Sequence, residues 1–499
     1  MSDVFLLKLE AGDDPYMTAP PFGILYLASA LENAGFSVRL IHEKGNPESL
    51  NRILGHISAE RPLFVGISTI TGPSLIPSLR ISEEIKKKID IPVVWGGIHP
   101  TMLPEQTLAS SCVDIAVLGE GEETVVALAK SFTGGSHGNE RFERIPGIAL
   151  REKGRIIMNS PGPFIRELDS YSPAWHLLPA ERYFYSRKFF LSDFGSRLPG
   201  ERLVPYLTSR GCPWRCAYCY NQFVHKRTFR AHSAQKVIAD LEQWKTRYGI
   251  TAVVFEDDNL FTDKNRALEI LHGIRLPWSS SLRASDISRW GDGFMRELKE
   301  TGCVELRIGA ESGSQRVLDL MKKDIRVEDI RSSVDLCLRH GIRALLNFMA
   351  GIPGETWKDM RATFDLMDEL EAGGGDVVVN GPSLYCPWPG TALYEEAVAG
   401  GFRPPQRSED WAVGWGHRMP SVPSADRRAR YVGYYRILAF RKELSALRLP
   451  VFAKGLRFLA RWRWRHRFFR FPLDYHVPNF FYRIMKILGL RSVAKALYH

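Results

Sequence analysis

Short apolar runs alternate with amphipathic segments along most of this chain, the pattern of parallel β-strands connected by helices. In the first part, the runs that predict strands are VFLLKLE (4–10), SVRLIHE (37–43), LFVGISTIT (63–71), IPVVWGGIHPT (91–101) and DIAVLGEGEET (114–124). Amphipathic stretches between them, such as the one ending at Gly35, predict helices. Five strands alternating with helices predict a doubly wound, Rossmann-like (flavodoxin-like) α/β domain, which binds its ligand across the carboxyl ends of its strands.

A second alternating series occupies the middle of the chain. Its apolar runs are RLVPYLTSRG (202–211), ITAVVFEDDNLF (250–261), SSLRASDI (280–287), CVELRIGAESGS (303–314), IRALLNFMAGIPGET (342–356) and DVVVNGPSLYCPWPGT (376–391). Six strands with helical crossovers predict a parallel sheet curled into a partial (β/α)6 barrel of the TIM type. In such barrels the working residues lie at the carboxyl ends of the strands.

These patterns divide the chain into four parts. We predict the α/β domain at 1–135, a linker with a β-hairpin at 136–200, the partial barrel at 201–400 and a basic, aromatic-rich helical region at 401–499. A length of 499 residues and 44% hydrophobic content are typical of a globular protein with two or three domains.

Cysteine usage and the N-terminal sequence indicate the cellular compartment. Seven cysteines in 499 residues are sparse and odd in number, so they do not form a disulfide framework. The N-terminal sequence MSDVFLLKLEAGDDPYM has no basic leader followed by an apolar segment and a cleavage site. No apolar run approaches the roughly 18 residues of a transmembrane helix. We therefore predict a cytoplasmic protein with reduced thiols.

Three of the seven cysteines fall within eight positions, in the stretch GCPWRCAYCYNQ. Cys212, Cys216 and Cys219 have the spacing C-x3-C-x2-C. Scattered core cysteines are one interpretation. A structural zinc site is a second, but it needs four ligands and usually a second paired knuckle, whereas the other four cysteines are isolated: Cys112, Cys303, Cys337 and Cys386. An iron–sulfur cluster with three protein ligands and one open iron is the third.

The cysteine spacing, with Tyr218 just before the last cysteine, strongly resembles the radical S-adenosylmethionine (radical SAM) superfamily. That resemblance implies a [4Fe–4S] cluster whose open iron binds SAM, and a 5′-deoxyadenosyl radical formed by reductive cleavage. RIGAESGS and GIPGET look like the family's ribose- and adenine-contacting strand ends, with Glu311 on the ribose. The acids Glu256–Asp258 stand where the family usually presents Gly-Gly-Glu, whose glycines are absent here. The SAM contacts implied by the resemblance are Tyr218, Asp257, Asp258, Arg307, Glu311, Ser312, Gly351 and Ile352.

The first domain, joined to such a barrel, resembles the cobalamin-binding domain of the B12-dependent radical SAM subfamily. GGIHPT and GEGEET look like that subfamily's loops, and so does the hairpin IPGIALREKGRIIMN. The implied cobalamin contacts are Ser68, Thr69, Gly96, Gly97, Gly119, Glu120, Gly121 and Glu122. The D-x-H-x-x-G motif of classical cobalamin domains is missing after the first strand, and some related proteins keep this domain without using the corrin. His42 and His99 lie near strand ends, where a lone histidine is more often a core or surface residue.

The resemblance implies a methyltransferase that moves a methyl group from SAM through methylcobalamin to an unactivated carbon, after radical hydrogen abstraction. A B12-dependent cyclase or oxidase is the alternative, and a non-catalytic iron–sulfur redox or sensor protein is a third hypothesis. The implied partners are a small-molecule or lipid-like substrate and a flavodoxin or ferredoxin as reductant.

The basic character of the chain is confined to its C-terminal region. Residues 427–499 contain 18 Lys and Arg against two acids, a net charge of +16, whereas residues 1–426 carry a net charge of −5. VFAKGLRFLARWRW places Phe452, Leu456, Leu459 and Trp462 on one helix face and Lys454, Arg457 and Arg461 on the other, whereas Arg463, Arg467 and Arg470 interrupt the apolar face. A basic cap on the barrel, peripheral contact with the inner membrane surface and, least favoured, nucleic-acid binding remain open.

Overall fold

The computed structural model describes residues 2–11, 19–134, 139–185, 202–412, 422–440, 451–474 and 476. The first domain is built on a seven-stranded sheet of order β2-β1-β3-β4-β5-β6-β7. Its strands are β1 (Val4–Glu10), β2 (Val38–Lys44), β3 (Phe64–Ser68), β4 (Val93–Gly96), β5 (Ile115–Val117), β6 (Ile148–Glu152) and β7 (Arg155–Met158). The first five strands are parallel, in the predicted flavodoxin-like arrangement.

Helices cover both faces of this sheet. They are α1 (Phe22–Asn33), α2 (Pro47–Glu60), α3 (Leu75–Lys88), α4 (Ile98–Met102), α5 (Pro104–Ala109) and α6 (Glu122–Thr133). All seven residues of β1 are buried, because the strand is paired on both edges, with β2 and β3, and has helices on both sides.

The hairpin expected in the linker belongs to the first sheet. Strand β6 pairs antiparallel with β5, and β7 pairs antiparallel with β6. The hairpin therefore extends the edge of the α/β domain beyond residue 135, where the sequence had placed a separate connecting segment.

The second domain is a six-stranded parallel sheet of order β15-β14-β13-β12-β11-β8. Its strands, with the separate antiparallel pair β9 and β10, are β8 (Leu203–Tyr206), β9 (Ser209–Arg210), β10 (Arg230–Ala231), β11 (Ala252–Phe255), β12 (Trp278–Ser281), β13 (Cys303–Glu311), β14 (Arg343–Ala350) and β15 (Val377–Leu384). Its helices are α7 (Asn221–Val224), α8 (Ala234–Tyr248), α9 (Lys264–Ile274), α10 (Ala284–Glu300), α11 (Gln315–Leu320), α12 (Val327–Arg339), α13 (Trp357–Ala372) and α14 (Ala392–Ala399).

Helix α8 illustrates how local chemistry sets these boundaries. Its N-cap Ser233 accepts a hydrogen bond from the backbone N–H of Lys236, and Gly249 ends the helix in the left-handed conformation.

The described part of the C-terminal region contains α15 (Ala429–Phe440) and α16 (Val451–Arg465). The two helices pack on each other, and α15 contacts β15. Arg436 is buried against Glu371 and Asp368 of α13, and Arg467 of the adjoining turn pairs with Asp365 and Asp368. Acidic side chains of α13 thus neutralise part of the basic segment.

Arg463, which interrupts the apolar stripe in the sequence, is buried for a structural reason. Its guanidinium donates to both carboxylate oxygens of Asp474 at 2.7 and 2.9 Å, and to the carbonyls of Phe468, Arg470 and Phe471. It therefore folds the segment after α16 back onto the helix. Across the described ranges, no helix combines the length and apolar character that a bilayer crossing requires.

A candidate active site between the two sheets

A cavity of about 380 Å³ lies between the carboxyl ends of the strands of both domains. The first domain contributes Ser68, Gly96, Gly97 and the loop Gly119–Glu122. The second domain contributes the following residues: Leu207, Ser209, Arg210, Tyr220, His225, Glu256 and Asp258. The ligand edge of the α/β sheet and the mouth of the partial barrel therefore face one shared space.

Glycines at the first-domain edge let the backbone itself form the wall. Gly97 has a φ of +100°, and a Cβ there would lie 2.6 Å from the carbonyl oxygen of Thr69. Gly119 has a φ of +78°, and a Cβ would meet no atom within 4 Å. Larger residues at either position would strain the backbone or intrude on the cavity. Thr69, by contrast, is fully buried, and its hydroxyl donates to Gly96, so it supports the edge and does not line the cavity.

Two of the three acids of GEGEET, Glu120 and Glu122, are held by arginines that flank the cysteine loop. Arg210 pairs with Glu122 at 2.7 Å and with Glu120 at 3.3 Å, while Arg230 pairs with Glu120 at 2.6 Å. Burial opposes the charge of Arg210, but the two carboxylates outweigh it, so the pKa of the guanidinium lies above its ordinary value. Arg210 also lies 4.7 Å from the ring centroid of Tyr26. Four charged side chains thus join the two domains at the cavity, and we call them the interdomain clamp: Glu120, Glu122, Arg210 and Arg230.

Neither histidine singled out near the strand ends reaches the cavity. His42 is buried, with its Nδ1 2.9 Å from the hydroxyl of Tyr183. His99 lies between the hydroxyls of Thr71 and Ser408, and burial lowers its pKa to about 4. Both are core residues here. His225, six residues after Cys219, does line the cavity and was not predicted from the sequence.

The cysteine loop leaves the barrel between β9 and α7 and is anchored at both sides. Gly211 has a φ of +82°, and a Cβ would lie 2.2 Å from the carbonyl oxygen of Thr228, so only glycine fits. The N–H of Ala217 donates to the carbonyl of Met321 at 2.7 Å. Cys216 is buried, and Cys212 and Cys219 are half-buried.

Burial raises the pKa of Cys219 to about 11 and raises that of Cys212. Such thiols are protonated and inert alone, but they ionise when a metal replaces the proton. Among the described residues no three His, Cys, Asp or Glu side chains converge on one metal-ion position. A cluster does not require such convergence, because each thiolate binds its own iron. The donor set therefore fits a cluster with three protein ligands.

The three acids after β11 have three different surroundings. Glu256 and Asp258 line the cavity, Glu256 pairing with Arg307 at 3.0 Å and Asp258 accepting from the hydroxyl of Tyr220 at 3.3 Å. Asp257 is buried below them and accepts hydrogen bonds from Thr208 and Ser209, the residues that precede the cysteine loop. Burial raises the pKa of Asp257, although these donors and Arg266 oppose it. Of the two acids after β11 that were predicted to contact SAM, Asp257 and Asp258, only Asp258 lines the cavity.

Glu311, at the end of β13, belongs to a buried polar triad. Its Oε1 accepts from Tyr218 at 2.9 Å and from Lys323 at 2.8 Å, and Lys323 also lies 3.0 Å from the Tyr218 hydroxyl. Glu311 has a φ of +61°, an uncommon conformation for a non-glycine residue that is typical of functional sites. The structure thus brings together the predicted Tyr218 and Glu311 and adds Lys323. Ser312 next to them is fully buried and lies 2.9 Å from the Thr363 hydroxyl.

The end of β14 is organised by Glu355 of GIPGET. One carboxylate oxygen accepts from the N–H groups of Gly351 and Ile352, and the other has no partner in the described part of the chain. Both amide atoms of the buried Asn259, after β11, are also without a described partner. Buried polar atoms of this kind usually serve a ligand or an ordered water, and they fit a polar cofactor at the barrel mouth.

Burial raises the pKa of Glu355 to about 7, against the two N–H groups, which lower it. Between its ordinary value of 4.5 and about 7, the folded protein keeps a proton that the unfolded chain has lost. We therefore expect the free energy of unfolding to fall as pH rises through this window, by on the order of 3 kcal/mol from this group. Denaturant titrations at pH 5 and pH 8 should therefore show that Glu355→Gln loses less unfolding free energy between the two pH values than wild type does. Glu395→Gln, at an exposed glutamate, is the control and should lose as much unfolding free energy as wild type. Equal losses in wild type and Glu355→Gln would refute the expectation.

Comparison with known proteins agrees with this layout. Residues 12–129 match the B12 binding domain family, and residues 206–367 match the Radical SAM superfamily. The chain is 29% identical over 391 residues to an uncharacterised methyltransferase of Pyrococcus horikoshii, covering 77% of this chain and 79% of that protein. It is 25% identical over 391 residues to the anaerobic magnesium-protoporphyrin IX monomethyl ester cyclase of Cereibacter sphaeroides, covering 76% and 60%.

Among solved structures, the fold is similar to the radical S-adenosylmethionine methyltransferase TsrM from Kitasatospora setae, a structure with cobalamin and a [4Fe–4S] cluster bound. The TM-score is 0.60 at 22% identity, with 81% of this chain and 76% of that chain covered. The expected fold class, cofactor set and enzyme character are confirmed by these matches. The chain therefore carries a B12-binding domain followed by a radical SAM domain, the two domains of the B12-dependent radical SAM proteins that its sequence resembles.

Proposed function

We propose that this enzyme transfers a methyl group from SAM to an unactivated carbon of a small-molecule substrate. The observation that carries the proposal is the single cavity lined by the glycine edge of the first sheet and by residues next to the cysteine loop. A reaction that uses both a corrin and a SAM-derived radical needs the two sites to open onto one water-shielded space. The methyltransferases among the relatives favour this reaction class.

The chain's own residues have distinct roles in this proposal. The cysteine triplet would hold the cluster, and the cavity edge at Ser68, Gly96, Gly97 and Gly119 would receive the corrin. SAM would bind at the barrel mouth, where the residues proposed to contact it are Tyr218, Asp258, Arg307, Glu311, Ser312, Gly351 and Ile352. When bound, these groups supply one-electron chemistry and methyl carriage that no amino-acid side chain provides.

The polar groups at the barrel mouth are already oriented by the protein. Lys323 fixes the Glu311 carboxylate, and Arg307 fixes Glu256 beside Asp258. Preorganised groups need little rearrangement when a ligand binds. Asp257, which is fully engaged with Thr208 and Ser209, would support the cysteine loop and not contact SAM directly.

Cyclisation or oxidation without methyl transfer is the second candidate, because the cyclase of Cereibacter sphaeroides matches about as much of this chain as the methyltransferase does. The products of SAM separate the two reactions. Anaerobically reconstituted protein with cobalamin, SAM, a reductant and an extract of small molecules should form 5′-deoxyadenosine together with S-adenosylhomocysteine. Substrate-dependent 5′-deoxyadenosine without S-adenosylhomocysteine would favour the cyclase or oxidase.

We further propose that the C-terminal segment 451–474, which comprises α16 and the turn after it, contacts an anionic membrane surface. Phe458, Phe471 and Leu473 are 73, 76 and 68% exposed, and the Trp462 and Phe468 rings lie 5.8 Å apart. Nearby Arg461, Arg465 and Arg470 are exposed. Exposed aromatic side chains beside arginines favour the interface of a bilayer with negative headgroups.

Vesicle sedimentation tests this contact. We expect the protein to bind vesicles containing phosphatidylglycerol at low salt, and to bind purely zwitterionic vesicles less. The double variant Phe458→Ser, Phe471→Ser should bind several-fold less, whereas Met158→Ser, an exposed apolar residue on β7, should bind as wild type. Absence of vesicle binding, or binding of single-stranded oligonucleotides in its place, would refute the proposal.

A further inference from the structure

Arg283 is a buried cation in contact with the cysteine loop. It lies two residues after the end of β12, at the N-cap position of α10, and is 9% exposed. Its Nη2 donates to the carbonyls of Lys323 and Asp324, and its Nε has no partner among the described residues. The side chain is therefore fixed in place by the backbone of the loop after α11.

The free side of this guanidinium faces two residues of the cysteine loop. The Arg283 Cζ lies 3.9 Å from the ring centroid of Trp214, between the first two cysteines. Its Nη1 lies 3.7 Å from the sulfur of Cys216, within hydrogen-bonding distance for a sulfur acceptor. Arg215, which lies within the cysteine loop itself, is exposed and pairs with Asp324 at 2.9 Å.

We propose that Arg283 is a positioning residue that raises the reduction potential of the cluster. This inference rests on the proposed cluster at Cys212, Cys216 and Cys219. Net charge, burial and hydrogen bonds to the sulfurs set the potential of an iron–sulfur cluster. Reduction adds a negative charge, so a buried cation that donates to a ligand sulfur stabilises the reduced state more than the oxidised state.

The stacking on Trp214 gives Arg283 a second role, which is to position the segment between Cys212 and Cys216. The segment Pro213–Arg215 is the longer of the two connections between the cysteines, and its tryptophan packs on the guanidinium. Arg283 would therefore hold Cys216 in register with the other two ligands. Because a purely structural residue would share this second role, the test must measure the potential as well as the iron content.

The experiment compares wild type, Arg283→Gln, Arg283→Lys and Arg215→Gln, each anaerobically reconstituted. Iron is quantified, and the reduced cluster is followed by electron paramagnetic resonance during a redox titration without SAM. At a fixed potential we expect the reduced-to-oxidised ratio in Arg283→Gln to fall about tenfold, which is about 59 mV for a one-electron couple. Arg283→Lys, which keeps the charge, should recover most of the ratio. Arg215→Gln should match wild type because its exposed charge is screened by solvent.

The outcomes separate this inference from the proposed function. A wild-type protein that takes up no iron would refute the cluster itself. An iron-loaded Arg283→Gln with an unchanged potential would refute the electrostatic role alone. Loss of iron in both Arg283→Gln and Arg283→Lys would make Arg283 a structural residue and would also overturn the inference.

Discussion

Cys216→Ala is expected to lose the cluster and with it all formation of 5′-deoxyadenosine from SAM. Cys216 is the buried member of the triplet and lies between Arg283 and the backbone anchor at Ala217. The loop supplies three cysteine ligands and no fourth, so loss of one leaves two thiolates, too few to retain a labile cluster. Iron content and 5′-deoxyadenosine should both fall to background. Cys212→Ala and Cys219→Ala should behave in the same way.

Cysteines elsewhere in the chain provide the matched control. Cys386 is buried enough that its pKa rises to about 12, and Cys112 lies in the core of the first domain. Cys386→Ala and Cys112→Ala remove a thiol from this chain without touching the triplet, so both should keep the iron content of wild type. A Cys216→Ala protein with full iron and activity would remove the basis of the radical SAM assignment.

The second large effect concerns the interdomain clamp. Arg210→Met leaves Glu122 and Glu120 without one of their cations in a buried setting, where their side chains are 4 and 6% exposed. Removing one partner of a buried ion pair typically costs about 3–5 kcal/mol. We expect a loss of this size in the free energy of unfolding, measured by denaturant titration, together with weaker retention of cobalamin, because Arg210 lines the cavity.

Arg331→Met is the control for the clamp. Its pair with Glu369 is bidentate but roughly half exposed on both sides, so its loss should cost about 1 kcal/mol or less. Equal effects of Arg210→Met and Arg331→Met would show that the clamp contributes no more than a surface ion pair. Normal corrin retention in a destabilised Arg210→Met would separate stability from ligand binding.

The strand ends of both domains could be predicted because periodicity and glycine placement act locally. The runs ending at Ser68 and Gly96 follow from apolar patterning, and Gly211 and Gly97 follow from backbone positions that only glycine tolerates. These features require no knowledge of how the domains dock. Seven of the eight residues proposed as cobalamin contacts line this cavity, and Thr69 is the exception. The α1 residues Phe22, Gly23, Tyr26 and Leu27 also line it and were not predicted.

The contacts that depend on docking could not be predicted. Arg210 and Arg230 stand on either side of the cysteine loop in sequence, and nothing local marks them as partners of Glu120 and Glu122. Lys323 and Arg283 likewise reach Glu311 and Cys216 from other elements. Such pairs arise from tertiary contacts between distant segments, for which a single sequence carries no periodic signal.

The C-terminal region shows the same limit in another form. Its helical spacing suggested an amphipathic face, but burial of Arg463 and Trp464 depends on the acids of α13 and on Asp474. Residues 441–450 and 477–499, part of the predicted helical region, lie outside the described residues.

The central claim is that one cavity holds a corrin opposite the cysteine loop, and joint quantification of iron and corrin tests it most directly. Protein purified anaerobically, reconstituted and freed of unbound cofactor should contain one corrin and about four irons per chain. Gly119→Leu, whose side chain would project into the cavity, should lose corrin and keep iron. Four irons without any corrin in the wild-type protein would contradict the account.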